Sequence, residues 1–230
     1  MYRNVVERPN GEFHFEVGRV MAERLGYRPA DLDRIPAESI DSFAGVGYCY
    51  FHFIDDMEGA RVLDLGSDSG TDSFIASLTT GPTGTVIGLD MTDARRAEAE
   101  ALRRREGVRN VTYVKGYIDA APFEDGSFDV VIRNGVINLA LNKPQVFHEI
   151  ARLLRPGGRL AIADIVTDVL RQRRSPATPR CGRLVSVAPG RSTATGRRSK
   201  APGCASWPTR LTTSTASCPA THKRRRRSSA

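Results

Sequence analysis

The residues most able to do chemistry lie in the run Val62-Leu63-Asp64-Leu65-Gly66-Ser67-Asp68-Ser69-Gly70 and, at the end of the next apolar run, at Asp90. Glycines where a strand passes into a helix let the backbone approach a ligand closely, and the helix N-terminus behind them favours a negatively charged group. Taken alone, the run reads equally well as a tight strand-to-helix turn. It does not have the GxGxxG spacing of the dinucleotide fingerprint. Asp90 follows roughly 20 residues on, where a carboxylate can accept both hydroxyls of a ribose. The two features in register point to a nucleoside cofactor.

Residues in these roles must be held at one end of a parallel sheet, and the patterning from Arg61 onward supplies one. Short apolar runs at 62–65, 86–89, 111–114, 128–132 and 160–163 alternate with helical patterns at 72–78, 93–105 and 143–154. Strands alternating with helices imply βαβ units, hence an α/β, Rossmann-like, doubly wound parallel sheet. The predicted strand order is 3-2-1-4-5, with the cleft at the strands' C-terminal ends. Pro156-Gly157-Gly158 is a stop signal for the last helix, because proline cannot continue it and glycine accepts positive φ. Residues 1–59 read as a helical cap. There Phe15, Val20, Met21, Ala22 and Leu25 form a stripe closed by Gly26, and Pro29 and Pro36 open two further short helices.

Composition changes sharply at residue 169. From there to Ala230 the chain has 15 Lys and Arg and no Asp or Glu, whereas the 168 residues before it carry 19 basic and 26 acidic residues. The overall +8 therefore belongs to the tail and is no nucleic-acid signature of the folded part. The N-terminus lacks the apolar stretch of a signal peptide, and no run reaches the roughly 18 apolar residues that suggest a membrane span. Of four cysteines only Cys49 precedes the tail, and no cysteine spacing suggests a metal site or a disulfide framework. The expectation is a cytoplasmic protein that binds no metal and no membrane.

DLGSDSG, GLDMT, PFEDGSFDVVIRNGVINL and RLLRPGGRLAIAD together resemble the class I S-adenosylmethionine-dependent methyltransferases, and among them the arsenite methyltransferase-like group. The resemblance covers 60–168 closely and 1–59 more loosely. It implies that Asp64, Gly66 and Gly70 cradle the amino-acid end of S-adenosylmethionine. It implies further that Asp90 holds the ribose, that Met91 lies against the adenine, and that Ile118 and Asp119 border it. Asn134 is implied beside the sulfonium; its alternative is a strand-end turn residue. For Asp119 the alternative is a solvated loop charge.

Two departures from that family bear on activity. Its motif reads D-x-G-x-G-x-G, and here Asp68 stands at the middle glycine. A Cβ and a carboxylate there predict a steric and electrostatic clash with the cofactor's carboxylate, an uncompensated repulsion costing a few kcal/mol. The arsenite enzymes are implied to hold As(III) through several thiolates, soft ligands for a soft centre. The folded part offers only Cys49 as a candidate catalytic thiol, and a lone cysteine is otherwise packing.

After Asp168 the family pattern stops, so strands 6 and 7 are absent from the reading. Arg180 to Thr195 can be encoded by codons that, one base earlier, spell TLWAACIGGARQVDSY, the segment the family leads one to expect. Residues 169–230 thus read as a disordered, basic, frameshifted tail, and a cysteine is lost with the original frame. Lys223-Arg224-Arg225-Arg226-Arg227 would bind nucleic acid only non-specifically. The expected function is methyl transfer from S-adenosylmethionine to a small acceptor, arsenite first, impaired in this copy. The alternatives are a non-catalytic remnant or a methyltransferase for another small molecule.

Overall fold

The structure, a computed structural model, describes residues 17–48 and 56–166 together with the short segments 183–184, 186–189 and 209–212. Three short helices come first: α1 (Gly18–Arg24), α2 (Pro29–Leu32) and α3 (Ala37–Asp41). Pro29 opens α2 at its first turn, where its missing N–H costs nothing. Pro36 caps α3 rather than lying inside it. Val20 does not join the expected apolar stripe, being 65% exposed, whereas Ala22 of the stripe and Tyr27 beyond it are buried. Phe15 lies outside the described residues.

The alternating part then runs β1 (Arg61–Leu65), α4 (Thr71–Thr80), β2 (Thr85–Asp90), α5 (Asp93–Arg105), β3 (Val111–Lys115), β4 (Phe128–Asn134), a 3-10 turn (Ile137–Leu139), α6 (Lys143–Leu153) and β5 (Leu154–Ala163). The five strands form one parallel sheet in the order β3-β2-β1-β4-β5, as the patterning predicts. Both faces are covered, which is why the strands read as continuous apolar runs. Val62, Val86, Val130 and Ile132 pack towards α4, α5 and the cap through Phe74, Ala99, Leu32 and Ile40. Leu63, Leu65, Leu89 and Val131 pack on the opposite side with Val146, Ile150 and Leu153 of α6.

β5 is longer than expected. It starts at Leu154, immediately after α6, and extends through Pro156-Gly157-Gly158, with an irregular register against β4 between Phe128 and Val130. Proline is tolerated because β5 is the edge of this sheet, where one side of the strand has no ladder to donate to.

Beyond β5 lie two short antiparallel pairs, β6 (Ile165–Val166) with β7 (Arg183–Leu184) and β8 (Ser186–Pro189) with β9 (Thr209–Thr212). The expectation of a wholly irregular tail is corrected over these segments. Extended backbone that leaves the sheet must still satisfy its N–H and C=O groups, and short pairing does so. Among the described residues neither pair extends the five-stranded sheet.

Candidate cofactor site

The register of the sheet brings the predicted residues together. Leu65 of β1 lies opposite Leu89 of β2, Asp90 opposite Lys115 of β3, and Asp64 opposite Ile132 of β4. The 66–70 loop, Asp90-Met91, the 116–119 segment and Asn134 therefore all leave the sheet at its C-terminal edge, where open α/β sheets bind ligands.

Asp90 is half-buried, and its carboxylate is held by two backbone donors. The Thr92 N–H donates to Oδ1 at 2.8 Å, and the Asp68 N–H, from the neighbouring loop, donates to Oδ2 at 3.1 Å. A carboxylate has about four acceptor positions. One on each oxygen remains for a ribose diol, so the residues present fit that part of a nucleoside. Met91 beside it is 63% exposed, an apolar surface left open at the end of β2.

Gly66 and Gly70 both have positive φ, +78° and +92°. At Gly70 a Cβ would lie 2.2 Å from the Tyr113 hydroxyl oxygen, and at Gly66 it would lie 3.0 Å from a Val136 methyl. Glycine is thus required here by the turn and by packing from β3 and the segment after β4, not only by approach of a ligand. The loop is also tied to the cap. Ser69 and Thr71 both donate to the Ser39 carbonyl, at 2.9 and 2.6 Å, and Ser42 meets Ser69 at 3.0 Å.

Asp64 lies beneath the loop, buried, and accepts from Ser73 Oγ at 2.6 Å. Burial and, next, the negative charge of Asp72 raise its pKa well above the carboxylate range, against the Ser73 hydrogen bond. Asp72 in turn accepts from the Tyr27 hydroxyl of the cap.

Asn134 stands at the end of β4 as predicted, but its amide is engaged. Oδ1 accepts from the Val46 N–H at 2.8 Å, and Nδ2 lies 3.0–3.1 Å from the Gly47 carbonyl, Tyr27 Oη and Asp72 Oδ2. It joins cap, α4 and sheet. Ile118 is part-buried against the core beside α6. Asp119 is half-exposed, and its carbonyl accepts from Gln145 at 3.4 Å. Cys49 lies outside the described residues.

Asp68, the residue expected to clash with the cofactor's carboxylate, lies beside a cation that the sequence did not point to. The residue adopts the left-handed region, φ +47°, and its Oδ1 lies 2.7 Å from Nε of Arg95 on α5. The carboxylate has a cation beside it, yet burial pushes its pKa up to about 6 against the attraction of Arg95. Arg95 escaped notice in the sequence because it reads as one of several arginines on a charged helix; the available signal was the aspartate at a glycine position, which calls for a cation nearby. Tyr27 and Asp72 were missed as well, since nothing local marks an inter-element hydrogen bond. No group of three or more metal-ligating side chains occurs among the described residues. No helix among them is long and apolar enough to cross a membrane.

With a glycine-bearing turn and an acidic strand end gathered at the C-terminal edge of a 3-2-1-4-5 sheet, the fold is the Rossmann-like one of the class I S-adenosylmethionine-dependent methyltransferases. A family model described as "Methyltransferase domain" matches residues 56–187, more than half of the chain, and the chain belongs to that family. The arsenite methyltransferase of Halobacterium salinarum is 42% identical over 145 residues, covering 63% of this chain and 37% of the relative. A demethylmenaquinone methyltransferase of Lactococcus lactis is 38% identical over 105 residues, 46% of this chain and 42% of the relative. Among solved structures, an arsenic(III) S-adenosylmethionine methyltransferase from Chlamydomonas reinhardtii superposes with a TM-score of 0.54 at 39% identity, covering 59% of this chain and 48% of that one. The chain thus spans less than half the length of each of these relatives.

Proposed function

We propose that this chain binds S-adenosylmethionine at the C-terminal edge of β1, β2 and β3 and transfers its methyl group to a small acceptor, arsenite in the first instance. The observation that carries the cofactor reading is Asp90, oriented by two backbone N–H groups with one acceptor position open on each oxygen. The acceptor reading rests on similarity to arsenite methyltransferases of an archaeon and an alga. Similarity to a quinone-precursor methyltransferase supports a second acceptor class, an aromatic carbon nucleophile.

When bound, S-adenosylmethionine supplies an electrophilic methyl group. What this chain contributes is binding and placement, which alone can lower a transfer barrier by several kcal/mol, about 7–11 in favourable cases. Asp90 would hold the ribose, Met91 and Ile118 would flank the adenine, and Asp119 would border it. Gly66, Gly70 and the buried Asp64 would shape the floor beneath the amino-acid end. Asn134, linking cap to sheet, would fix the wall nearest the reacting carbon. Cys49 is the proposed acceptor-side thiol. Residues 169–230 are proposed to be read from a shifted frame, which would remove a further thiol and lower turnover.

The test is calorimetric titration with S-adenosylmethionine beside a methyl-transfer assay on arsenite with a thiol reductant. Asp90→Ala removes a charge-assisted pair, worth roughly 1.5–3 kcal/mol, and affinity should fall by the corresponding factor. Equal binding by parent and variant would discard the site. Turnover on a quinone precursor and none on arsenite would keep the class and replace the acceptor.

A further inference from the structure

Asp68 and Asp90 place two carboxylates at one cleft, and the backbone between them is already committed. The Asp68 N–H reaches Asp90 Oδ2 with residue 68 in the left-handed turn, a region that side-chain-bearing residues rarely occupy. Among the described residues only Asp56 and Asp68 do so without being glycine. The Asp68 side chain is drawn to α5, where Arg95 Nε lies 2.7 Å from Oδ1. Arg95 is itself only 7% exposed at its side chain, and its other arm donates to Glu98 at 3.1 Å. The guanidinium is therefore anchored on α5 rather than free to follow the loop, and α5 begins three residues after Asp90.

We infer that Arg95 is a positioning residue of the nucleoside site: by pairing with Asp68 it fixes the left-handed turn that aims a backbone N–H at Asp90, and it keeps a second carboxylate off the ribose position. The inference rests on the cofactor reading proposed above. Arg95 touches no ligand in this account. It acts through Asp68, and its importance exists only while residue 68 carries a charge. Without Arg95 the Asp68 carboxylate would lie beside Asp90 with no counter-ion, and like charges at such distances repel strongly in a half-buried cleft. The loop would relieve the repulsion by leaving the left-handed turn, and Asp90 would lose one of its two orienting donors.

The experiment is a double-mutant cycle on the full chain, with Arg95→Gln, Asp68→Asn and the two combined, plus Arg95→Lys as the conservative variant. Asparagine keeps the shape of aspartate and tolerates the left-handed region. One readout is calorimetric affinity for S-adenosylhomocysteine. The other, needing no ligand, is hydrogen exchange at the amides of residues 66–70. Arg95→Gln should weaken binding at least tenfold and speed exchange of the Asp68 amide. Asp68→Asn should bind at least as tightly as the parent, the double variant should match Asp68→Asn in both readouts, and Arg95→Lys should stay close to the parent. Equal weakness in Arg95→Gln and in the double variant would make Arg95 merely structural and overturn the inference; so would unchanged exchange in Arg95→Gln. If no protein in the set, the parent included, binds the nucleoside, the cofactor reading fails. The exchange pattern then decides the Arg95–Asp68 coupling alone.

Discussion

Arg133 shows what one residue can cost. It lies on β4 with no exposed surface, and among the described residues its three guanidinium nitrogens find no hydrogen-bond partner. Burial pulls its pKa down to about 10, against the attraction of Asp164 and then Asp64, so the group stays charged at neutral pH. A buried charge without hydrogen-bonding partners is a stability liability, and replacing buried ionic groups together with apolar ones is often neutral or stabilising, by about 1–4 kcal/mol. Arg133→Met is expected to raise the midpoint of thermal unfolding, and a lower midpoint would refute the assignment. Asp64 is the second such residue. Its folded-state pKa lies above the unfolded value, so the native state holds a proton that the unfolded state has released. Stability from this group is complete below the ordinary carboxylate range and is lost as pH rises towards the raised value. Glu38 and Glu100, both lowered to about 2 by arginine hydrogen bonds, act in the opposite sense: they favour the fold above the ordinary carboxylate range and lose that effect as pH falls through 2. Asp64→Asn should therefore flatten the decline in denaturant midpoint on the neutral side while leaving the acid limb unchanged. An unaltered neutral limb would contradict the raised value.

Among the elements, the joint between cap and sheet is where local patterns stop being informative. Tyr27 packs edge-on against Phe43 at 5.0 Å and tilted against Tyr48 at 4.4 Å, while its hydroxyl donates to Asp72 on α4 and accepts from Asn134 on β4. Three elements are thus held through one buried phenol. Tyr27→Phe keeps the ring packing and removes the polar link, leaving Asp72 short of a donor. The expected loss is about 1.5–3 kcal/mol, with faster hydrogen exchange in 39–48 than in the sheet. Uniform exchange across both regions would show that the cap is not held through this residue.

At the scale of the whole molecule, β5 pairs with β4 alone in the five-stranded sheet. Its residues Ala161, Ile162 and Ala163 are buried, and β8 lies close to the strand without joining its ladder. Unpaired edges template association with other chains unless covered. If residues 169–230 arise from a frame change, a chain with the frame restored after Asp168 should add strands beyond β5. It should then show less concentration-dependent aggregation by light scattering and greater methyl transfer than the present chain. A restored chain that aggregates equally and gains no activity would argue against the shifted frame, and an unshifted gene sequence through codons 165–180 would exclude it.

Strand order and the gathering of the glycine turn and the acidic end of β2 at one sheet edge were legible in the sequence for a physical reason. Strands buried on both faces must be apolar throughout, and a chain reversing at each βα turn marks the turn with glycine. Position within an element then follows from counting, which is why 62–65 and 128–132 could be placed side by side before any geometry was known. The partners of polar side chains were not legible. Tyr27 finds Asp72 across 45 residues and Asn134 across 107, and Arg95 reaches back from one helix to a loop on the neighbouring strand. Such contacts depend on the helix rotation and strand register that packing the two cores imposes, and no local spacing encodes either. The sequence by itself determined the sheet and which turns gather at its C-terminal edge. Only the tertiary structure decided that Asp68 is paired rather than loose, that Asn134 is engaged with the cap, and that Gly70 answers to Tyr113, because each outcome turns on what lies within a few ångströms from a distant part of the chain.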